Sequence, residues 1–213
     1  MSDTKQNNYT LIDVENWERK DYFCEFRNKL NPCNTITFEL DITNLYNMIK
    51  RKKLSFTLSL TYASVKCARE VEAFRYRNLN GNVVLYHDIN TRFSYVAPDG
   101  KHFRTISAPL KDTLEEFIVS ALTAIENQVT TFPEFEGYGY IQTAPSPWIT
   151  YTSISHTVTG GDDDAVPLIG WGKYFVRNER VIIPYTIKTN HCFVDGRDQA
   201  EFVNKLVCFI ENC

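Results

Sequence analysis

The segment "HCFVDG", residues 191–196, places a histidine where a strand pattern ends and a helical pattern begins. Side chains at such a boundary project beyond the end of a sheet, where clefts form. An imidazole with an ordinary pKa near ~6.5 can accept a proton from an alcohol or a thiol at neutral pH. His191 is therefore a candidate general base.

Asp195 has three candidate roles in this segment. It could accept a hydrogen bond from the second ring nitrogen of His191, pair with an arginine elsewhere in the chain, or cap the closing helix. Gly196 fits a backbone that must turn sharply. Taken alone, the six residues favour a half-buried histidine followed by an N-cap aspartate, so a catalytic interpretation needs support from the rest of the chain.

Composition excludes several classes of protein. The 213 residues carry a net charge of −3, so the sequence lacks the excess of basic residues that indicates nucleic-acid binding. The short basic run Arg51-Lys52-Lys53 is expected to be a solvated loop. The chain has no long apolar run and no apolar centre near its start, which predicts no membrane span and a cytoplasmic location. We expect one domain over residues 1–213.

Metal chemistry is not indicated by the sequence. The six cysteines show no zinc spacing and are expected to be free thiols in a reducing compartment. The acidic stretch Asp162–Asp164 lacks the ligand spacing of a calcium loop and is expected to be a solvated turn.

Apolar spacing predicts an α/β fold in which helices flank a large mixed sheet. Helices are predicted at residues 16–30, 44–53, 55–74, 111–129 and 198–213. Strands are predicted at residues 9–13 and 34–42, within 76–107, and at 148–158 and 172–194. Asn80-Gly81 and Asp99-Gly100 are typical of hairpin turns.

The chain resembles the chloramphenicol acetyltransferase family over nearly its full length. The matching motifs occur in the family's order: "NWER" at 16–19, "PC" at 32–33, "ELDITNL" at 39–45, "FP" at 132–133, "PWITYTS" at 147–153, "GKYF" at 172–175 and "HCFVDG". The resemblance implies a CoA-dependent acyltransferase fold, a two-layer α/β sandwich. It also implies transfer of an acetyl group from acetyl-CoA to the primary hydroxyl of chloramphenicol.

The family's residue roles carry over by position. His191 would be the general base in a direct transfer without an acyl-enzyme, and Asp195 would form a structural ion pair with Arg19. The positions that would contact CoA are Trp148, Lys173 and Tyr174, and Ser146 lies beside them. The family is trimeric, so each site would lie between two subunits.

Several positions depart from the family. Ala144 replaces the serine that stabilises the oxyanion, which leaves Ser146 or Thr143 as substitutes, and Gly170 replaces a supporting threonine. Asn190 stands where the family usually has the first of two adjacent histidines. In the acceptor pocket, Phe26 replaces a tyrosine, Ile154 an aromatic residue and His156 an apolar one, whereas Leu30, Phe103 and Phe132 are retained.

These departures predict slower turnover, or a different and more polar acceptor. Two other hypotheses remain open. One is acyl transfer to a lipoyl thiol, as in the related dihydrolipoyl acyltransferases. The other is a trimeric small-molecule binder that has lost efficient chemistry.

Overall fold

The computed structural model describes residues 8–96, 100–133 and 137–213. Asp99, half of one predicted turn, lies outside these ranges. The helices are α1 (Lys20–Phe26), α2 (Thr43–Lys52), α3 (Phe56–Arg69), α4 (Leu114–Asn127) and α5 (Gly196–Glu211). The strands are β1 (Tyr9–Leu11), β2 (Cys33–Asp41), β3 (Tyr76–Leu79), β4 (Asn82–Tyr86), β5 (Asn90–Val96), β6 (Phe103–Ala108), β7 (Tyr140–Pro145), β8 (Leu168–Trp171), β9 (Phe175–Arg177) and β10 (Arg180–Asn190).

The larger sheet is mixed, as predicted. Its strand order is β2-β10-β8-β7-β5-β6, and β9 pairs with the start of β10. β5, β7 and β8 run parallel to one another, and β10 runs antiparallel to β2 and β8. A smaller sheet joins β1, β4 and β3, with Asn80-Gly81 at the predicted turn between β3 and β4.

The two faces of the larger sheet differ in character. One face packs on α3: Thr143 of β7 hydrogen-bonds Thr61 at 3.1 Å, and the Tyr185 hydroxyl of β10 lies 2.6 Å from that of Ser64. The opposite face is polar. We call it the polar face; it carries Gln142, Ala144, Gly170, Thr186 and Lys188.

Helix ends follow local side-chain chemistry. The Ser55 hydroxyl accepts from the Leu58 N–H at the start of α3, and Thr113 forms a capping box with Glu116 at the start of α4. None of the helices in the described ranges is long and apolar enough to cross a membrane. All six cysteines are free thiols, and only Cys67 and Cys192 are fully buried.

The structure corrects several predicted elements. The predicted strand at 148–158 is irregular backbone that runs over the polar face, and β7 and β8 were not predicted. β7 was missed because its fully buried side chains, Ile141 and Thr143, are one apolar and one polar, so "YIQTAP" shows neither a regular alternation of apolar and polar residues nor a continuous apolar run. The first helix is only seven residues long, and the third ends at Arg69, before a short 3-10 turn at Glu72–Arg75.

Candidate active site

His191 lies immediately after the last residue of β10, at the start of a tightly anchored turn. The next three residues, Cys192, Phe193 and Val194, are at most 2% exposed, whereas His191 is half-buried. The Phe193 ring packs against three aromatic side chains, those of Trp17, Phe23 and Tyr76. The turn is therefore fixed by its apolar residues, and the imidazole is the side chain that it leaves partly open.

The orientation of the His191 ring is set by stacking. Its plane lies 11° from that of Phe26, with 4.1 Å between ring centroids, and its backbone N–H donates to the Pro32 carbonyl at 2.8 Å. Nδ1 is buried and has no hydrogen-bond partner among the described residues. The possible pairing of His191 with Asp195 is therefore not present, and Nε2 is the ring nitrogen available to a ligand.

Asp195 instead combines the other two candidate roles. Its carboxylate accepts from Arg19 Nη1 at 3.1 Å, which is the expected ion pair, and from the Arg197 backbone N–H at 3.3 Å. Asp198 completes a capping box by accepting from the Asp195 N–H at 2.9 Å. Arg19 Nε also donates to the Cys192 carbonyl at 3.4 Å, so the arginine ties α1 to both ends of the turn.

The two carboxyl groups at the start of α5 have opposite pKa shifts. Burial raises the pKa of Asp195, but the hydrogen bond and positive charge of Arg19 outweigh it, so this pKa lies below its usual value. Burial raises the pKa of Asp198, and the negative charge of Asp195 adds to that increase. Asp195 is therefore an anion at neutral pH and the nearer carboxylate partner of Arg19, whose Nη1 lies 3.8 Å from Asp198.

The sharp turn expected at Gly196 is not found. Gly196 is the first residue of α5, its φ is not positive, and a Cβ there would meet nothing within 4 Å. A buried polar cluster that the sequence did not reveal lies nearby. Gln199 Nε2 donates to Asn34 Oδ1 and Thr189 Oγ1, each at 3.0 Å, and thereby joins α5 to the ends of β2 and β10.

Ala144 and Gly170 face each other across the parallel pair β7–β8, and Gly170 also pairs with Thr186 of β10. Of the proposed substitutes for the missing serine, Thr143 is excluded because it points to the other face and bonds Thr61. Ser146 is half-buried beyond the end of β7, and its N–H donates to Trp171 at 2.7 Å.

A cavity on the polar face contains part of the predicted acceptor pocket. Its volume is about 270 Å³, and its lining includes Phe103, Thr105, Gln142, Ala144, Thr157 and Leu168. The rings of Phe103 and Phe132 meet edge-to-face with 5.5 Å between their centroids. Both residues are at least half exposed, at 50% and 59%. Leu30, after α1, is 97% exposed, and Ile154 is half-buried.

The acidic stretch is not a solvated turn at Asp164. This residue is buried and pairs with Lys188 at 3.3 Å, and its carboxylate also accepts from the Thr159 and Gly160 backbones. Lys188 Nζ donates to the Thr157 carbonyl at 2.6 Å. The pair thus fastens the irregular segment to β10. Within the described ranges, no three His, Cys, Asp or Glu side chains are grouped to hold a metal ion.

The predicted CoA-binding residues lie near the end of α2 and the loop after β7. The Tyr174 hydroxyl is 3.3 Å from that of Tyr46, and Trp148 is 68% exposed. The exposed Lys173 donates its backbone N–H to the Ile149 carbonyl at 2.7 Å, which holds the connection between β8 and β9 against the loop that carries Trp148.

Tyr174 also lines a cavity whose basic residues the sequence analysis missed. The lining comprises Tyr46, Ile49, Lys50, Lys53, Leu54, Phe56 and Tyr174. Lys53 follows α2 in a left-handed conformation with φ of 56°, so the basic run ends a helix and is not a loop. The signal in the sequence was a cluster of lysines next to aromatic residues.

Within one chain, His191 and the Ala144–Gly170 pair are well separated. Thr186 of β10 is the cross-strand partner of Gly170, and His191 lies five residues after it, just beyond the end of the strand. A strand rises about 3.3 Å per residue, so the separation along the sheet is roughly 16 Å. Within one chain the two groups are therefore too far apart to meet at the same reacting atoms.

The Arg19–Asp195 ion pair predicts how stability depends on pH. Because the pKa of Asp195 is lowered, its stabilisation is present above an unfolded pKa of about 3.9 and is lost as pH falls through the folded value. Asp195→Asn keeps a capping side chain but removes the charge. We expect its melting temperature to lie several degrees below that of the parent at pH 7, with the gap closing below about pH 4.

Thermal unfolding between pH 3 and 7 measures this gap. Asp88→Asn is the control, since it breaks an exposed ion pair with Arg69 (3.0 Å) and should change the melting temperature little. A gap for Asp195→Asn that is equal at all pH values would contradict the assignment.

Known proteins resemble this chain in sequence and in fold. The family model for chloramphenicol acetyltransferase matches residues 7–207. Chloramphenicol acetyltransferase 3 of Escherichia coli is 24% identical over 204 residues, covering 93% of this chain and 95% of that protein. A solved chloramphenicol acetyltransferase structure is 30% identical, with a TM-score of 0.83 and coverage of 95% and 99%.

A more distant structure shares the fold alone. The cubic core of the pyruvate dehydrogenase multienzyme complex is 16% identical, with a TM-score of 0.64 and coverage of 85% of this chain and 82% of that one. The family match spans almost the whole sequence, and the motif residues occupy the positions described above. The chain belongs to the chloramphenicol acetyltransferase family.

Proposed function

We propose that this enzyme transfers the acetyl group of acetyl-CoA to a hydroxyl of chloramphenicol or of a similar small acceptor. The observation that carries this proposal is the geometry of His191: a partly open imidazole, stacked on Phe26, on a turn that the Arg19–Asp195 pair holds in place. The proposal treats the chain as one acyltransferase domain, which the family match over 7–207 supports. Acetylation of the antibiotic in the cytoplasm would give the cell resistance.

His191 acts as the general base in the proposed mechanism. Nε2 takes the proton of the acceptor hydroxyl while the hydroxyl oxygen forms a bond to the thioester carbon. The carbonyl π electrons move to oxygen and give a tetrahedral oxyanion. When the C=O bond re-forms, the C–S bond breaks, and the imidazolium returns its proton to the thiolate. The products are the acetyl ester and free CoA.

The proposed site lies between two subunits of a trimer. The separation of roughly 16 Å within one chain supports this arrangement, because His191 of one copy would have to meet the polar face of the next. Leu30, after the helix that carries Phe26, and Phe132, in contact with Phe103 of the polar-face cavity, are exposed apolar side chains. An acceptor or a neighbouring subunit would bury them.

Acetyl-CoA is the proposed co-substrate, and Trp148, Lys173, Tyr174 and Ser146 are its proposed contacts. The cavity beside Tyr174 suits the nucleotide end of CoA, because it combines aromatic rings with the ammonium groups of Lys50 and Lys53. The acceptor would lie against Phe26, Leu30, Phe103, Phe132, Ile154 and His156.

Replacing His191 by alanine should abolish turnover without unfolding the protein. We expect thiol release from acetyl-CoA in the presence of chloramphenicol to fall by about 10²–10⁴-fold, since the base is lost. Thiol release is followed with a thiol reagent, and circular dichroism checks the fold. His87→Ala, at an exposed histidine bonded to Thr10, is the control and should keep parental activity.

Equal rates for His191→Ala and the parent would refute the proposed base. The missing hydroxyls at Ala144 and Gly170 favour one other function, a non-catalytic binder. Binding of chloramphenicol or CoA to the parent, without any thiol release, would favour that function instead.

Lys53 should contribute to binding of acetyl-CoA and not to chemistry. We expect Lys53→Ala to raise the KM for acetyl-CoA about tenfold, because a charged contact to phosphate is lost, with kcat and the KM for the acceptor unchanged. Lys52→Ala is a matched control, because the Lys52 ammonium already binds Glu115 at 2.7 Å. Steady-state kinetics with each substrate varied measures both; equal KM values for the two variants would exclude Lys53.

A further inference from the structure

Acyl transfer through a tetrahedral intermediate needs a hydrogen-bond donor at the oxyanion. On the polar face, the cross-strand neighbours Ala144 and Gly170 offer no hydroxyl. Thr143 is committed to Thr61 on the other face. The proposed chemistry therefore needs a donor other than the side chains at positions 143, 144 and 170.

His156 lies directly over Gly170. A Cβ built on Gly170 would be 3.1 Å from Nε2 and 3.5 Å from Cε1 of His156, and 3.3 Å from the Ala144 carbonyl oxygen. Contacts this short would force the imidazole to move. Gly170 thus makes the space that the ring occupies, and the two unusual residues depend on each other.

The hydrogen-bonding state of His156 follows from these surroundings. Nε2 is buried and has no partner among the described residues, so a proton on that nitrogen would be a buried donor without an acceptor. The proton of the neutral ring then resides on Nδ1. The ring as a whole is half-buried, and Nε2 is its buried nitrogen, so the Nδ1 edge is the part that a ligand can reach.

Charge and anchoring keep the ring neutral and in place. Burial lowers the pKa of His156, and the positive charge of Lys188 lowers it further. The Lys188 ammonium also donates to the carbonyl of Thr157, the next residue, at 2.6 Å and pairs with the buried Asp164. The segment that carries His156 is therefore fixed to β10 beside the Ala144–Gly170 pair.

We propose that His156 donates its Nδ1–H to the oxyanion of the tetrahedral intermediate, in place of a hydroxyl at position 144 or 170. The inference rests on the proposed acetyl transfer and adds a catalytic residue to it. In the interfacial site, His191 of one copy would remove the proton of the acceptor while His156 of the next stabilises the charge that forms on the thioester oxygen. His156 exchanges no proton in this step.

The test compares two side chains of similar size at position 156. His156→Met has no donor, and we expect it to lower kcat by about 10²-fold with the KM for chloramphenicol and for acetyl-CoA nearly unchanged, as for a contact made only in the transition state. His156→Gln keeps an N–H donor and should retain most of the parental kcat. Should His156→Met not fold, as judged by its melting temperature, His156→Leu takes its place.

A double variant tests whether a hydroxyl can replace the imidazole. Ala144→Ser should raise kcat strongly in the His156→Met protein and only slightly in the parent, because the two donors serve the same oxygen. Ser146→Ala tests the other hydroxyl that could serve as the donor, and its kcat should fall far less than that of His156→Met. Ser155→Ala, at the exposed residue next to His156, is the control and should keep the parental kcat.

The outcomes separate this inference from the proposed function. A parent protein without acetyl transfer to any hydroxylated acceptor would overturn both. Three results would overturn the role of His156 and leave the proposed function standing, provided that the parent transfers acetyl groups. The first is an unchanged kcat for His156→Met, and the second is a His156→Met variant in which only the KM for the acceptor is raised. The third is a large loss of kcat in Ser146→Ala but not in His156→Met.

Discussion

The ion pair between Arg19 and Asp195 is the contact on which the geometry of the proposed site depends. Arg19 bonds the carboxylate that caps α5 and also the carbonyl of Cys192, so one guanidinium joins α1 to both ends of the turn after β10. α1 also carries Phe26, the ring that stacks on His191. The same pair therefore positions the imidazole and the surface against which it rests.

The turn residues add a second constraint. Cys192, Phe193 and Val194 are buried in the aromatic core and fix the backbone directly after the partly open His191, and Asn190, directly before it, is buried as well. Lys188 lies in β10, three residues before His191, and it anchors the segment that carries His156. β10 thus supports both halves of the proposed chemistry, although in one chain they are too far apart to share a substrate.

The sequence predicted the mixed α/β fold and the family because those features are local or are carried by matching motifs. The Arg19–Asp195 contact joins residues 176 positions apart, and only the family resemblance predicted it. Spacing could not have shown that Asp195 would serve as both an ion-pair partner and a helix cap.

Other features depended on which face of a strand each residue occupies. Because β7 was not predicted, Thr143 could not be assigned to the helix side, and it remained a candidate for the oxyanion. Asp164 was expected in solvent, since nothing in the acidic stretch pointed to its distant partner Lys188. The fit of His156 over Gly170 likewise depends on an irregular segment whose path no periodicity predicts.

A subunit-mixing experiment tests most directly whether His191 acts across an interface on the polar face of a second copy. His191→Ala removes the base, and Gly170→Trp fills the space beside Ala144, so each protein alone should be inactive. When equal amounts are unfolded and refolded together, random assembly should give about one quarter of the parental acetyl-transfer activity, because hybrid interfaces combine two intact halves. A mixture no more active than either variant alone would contradict the account.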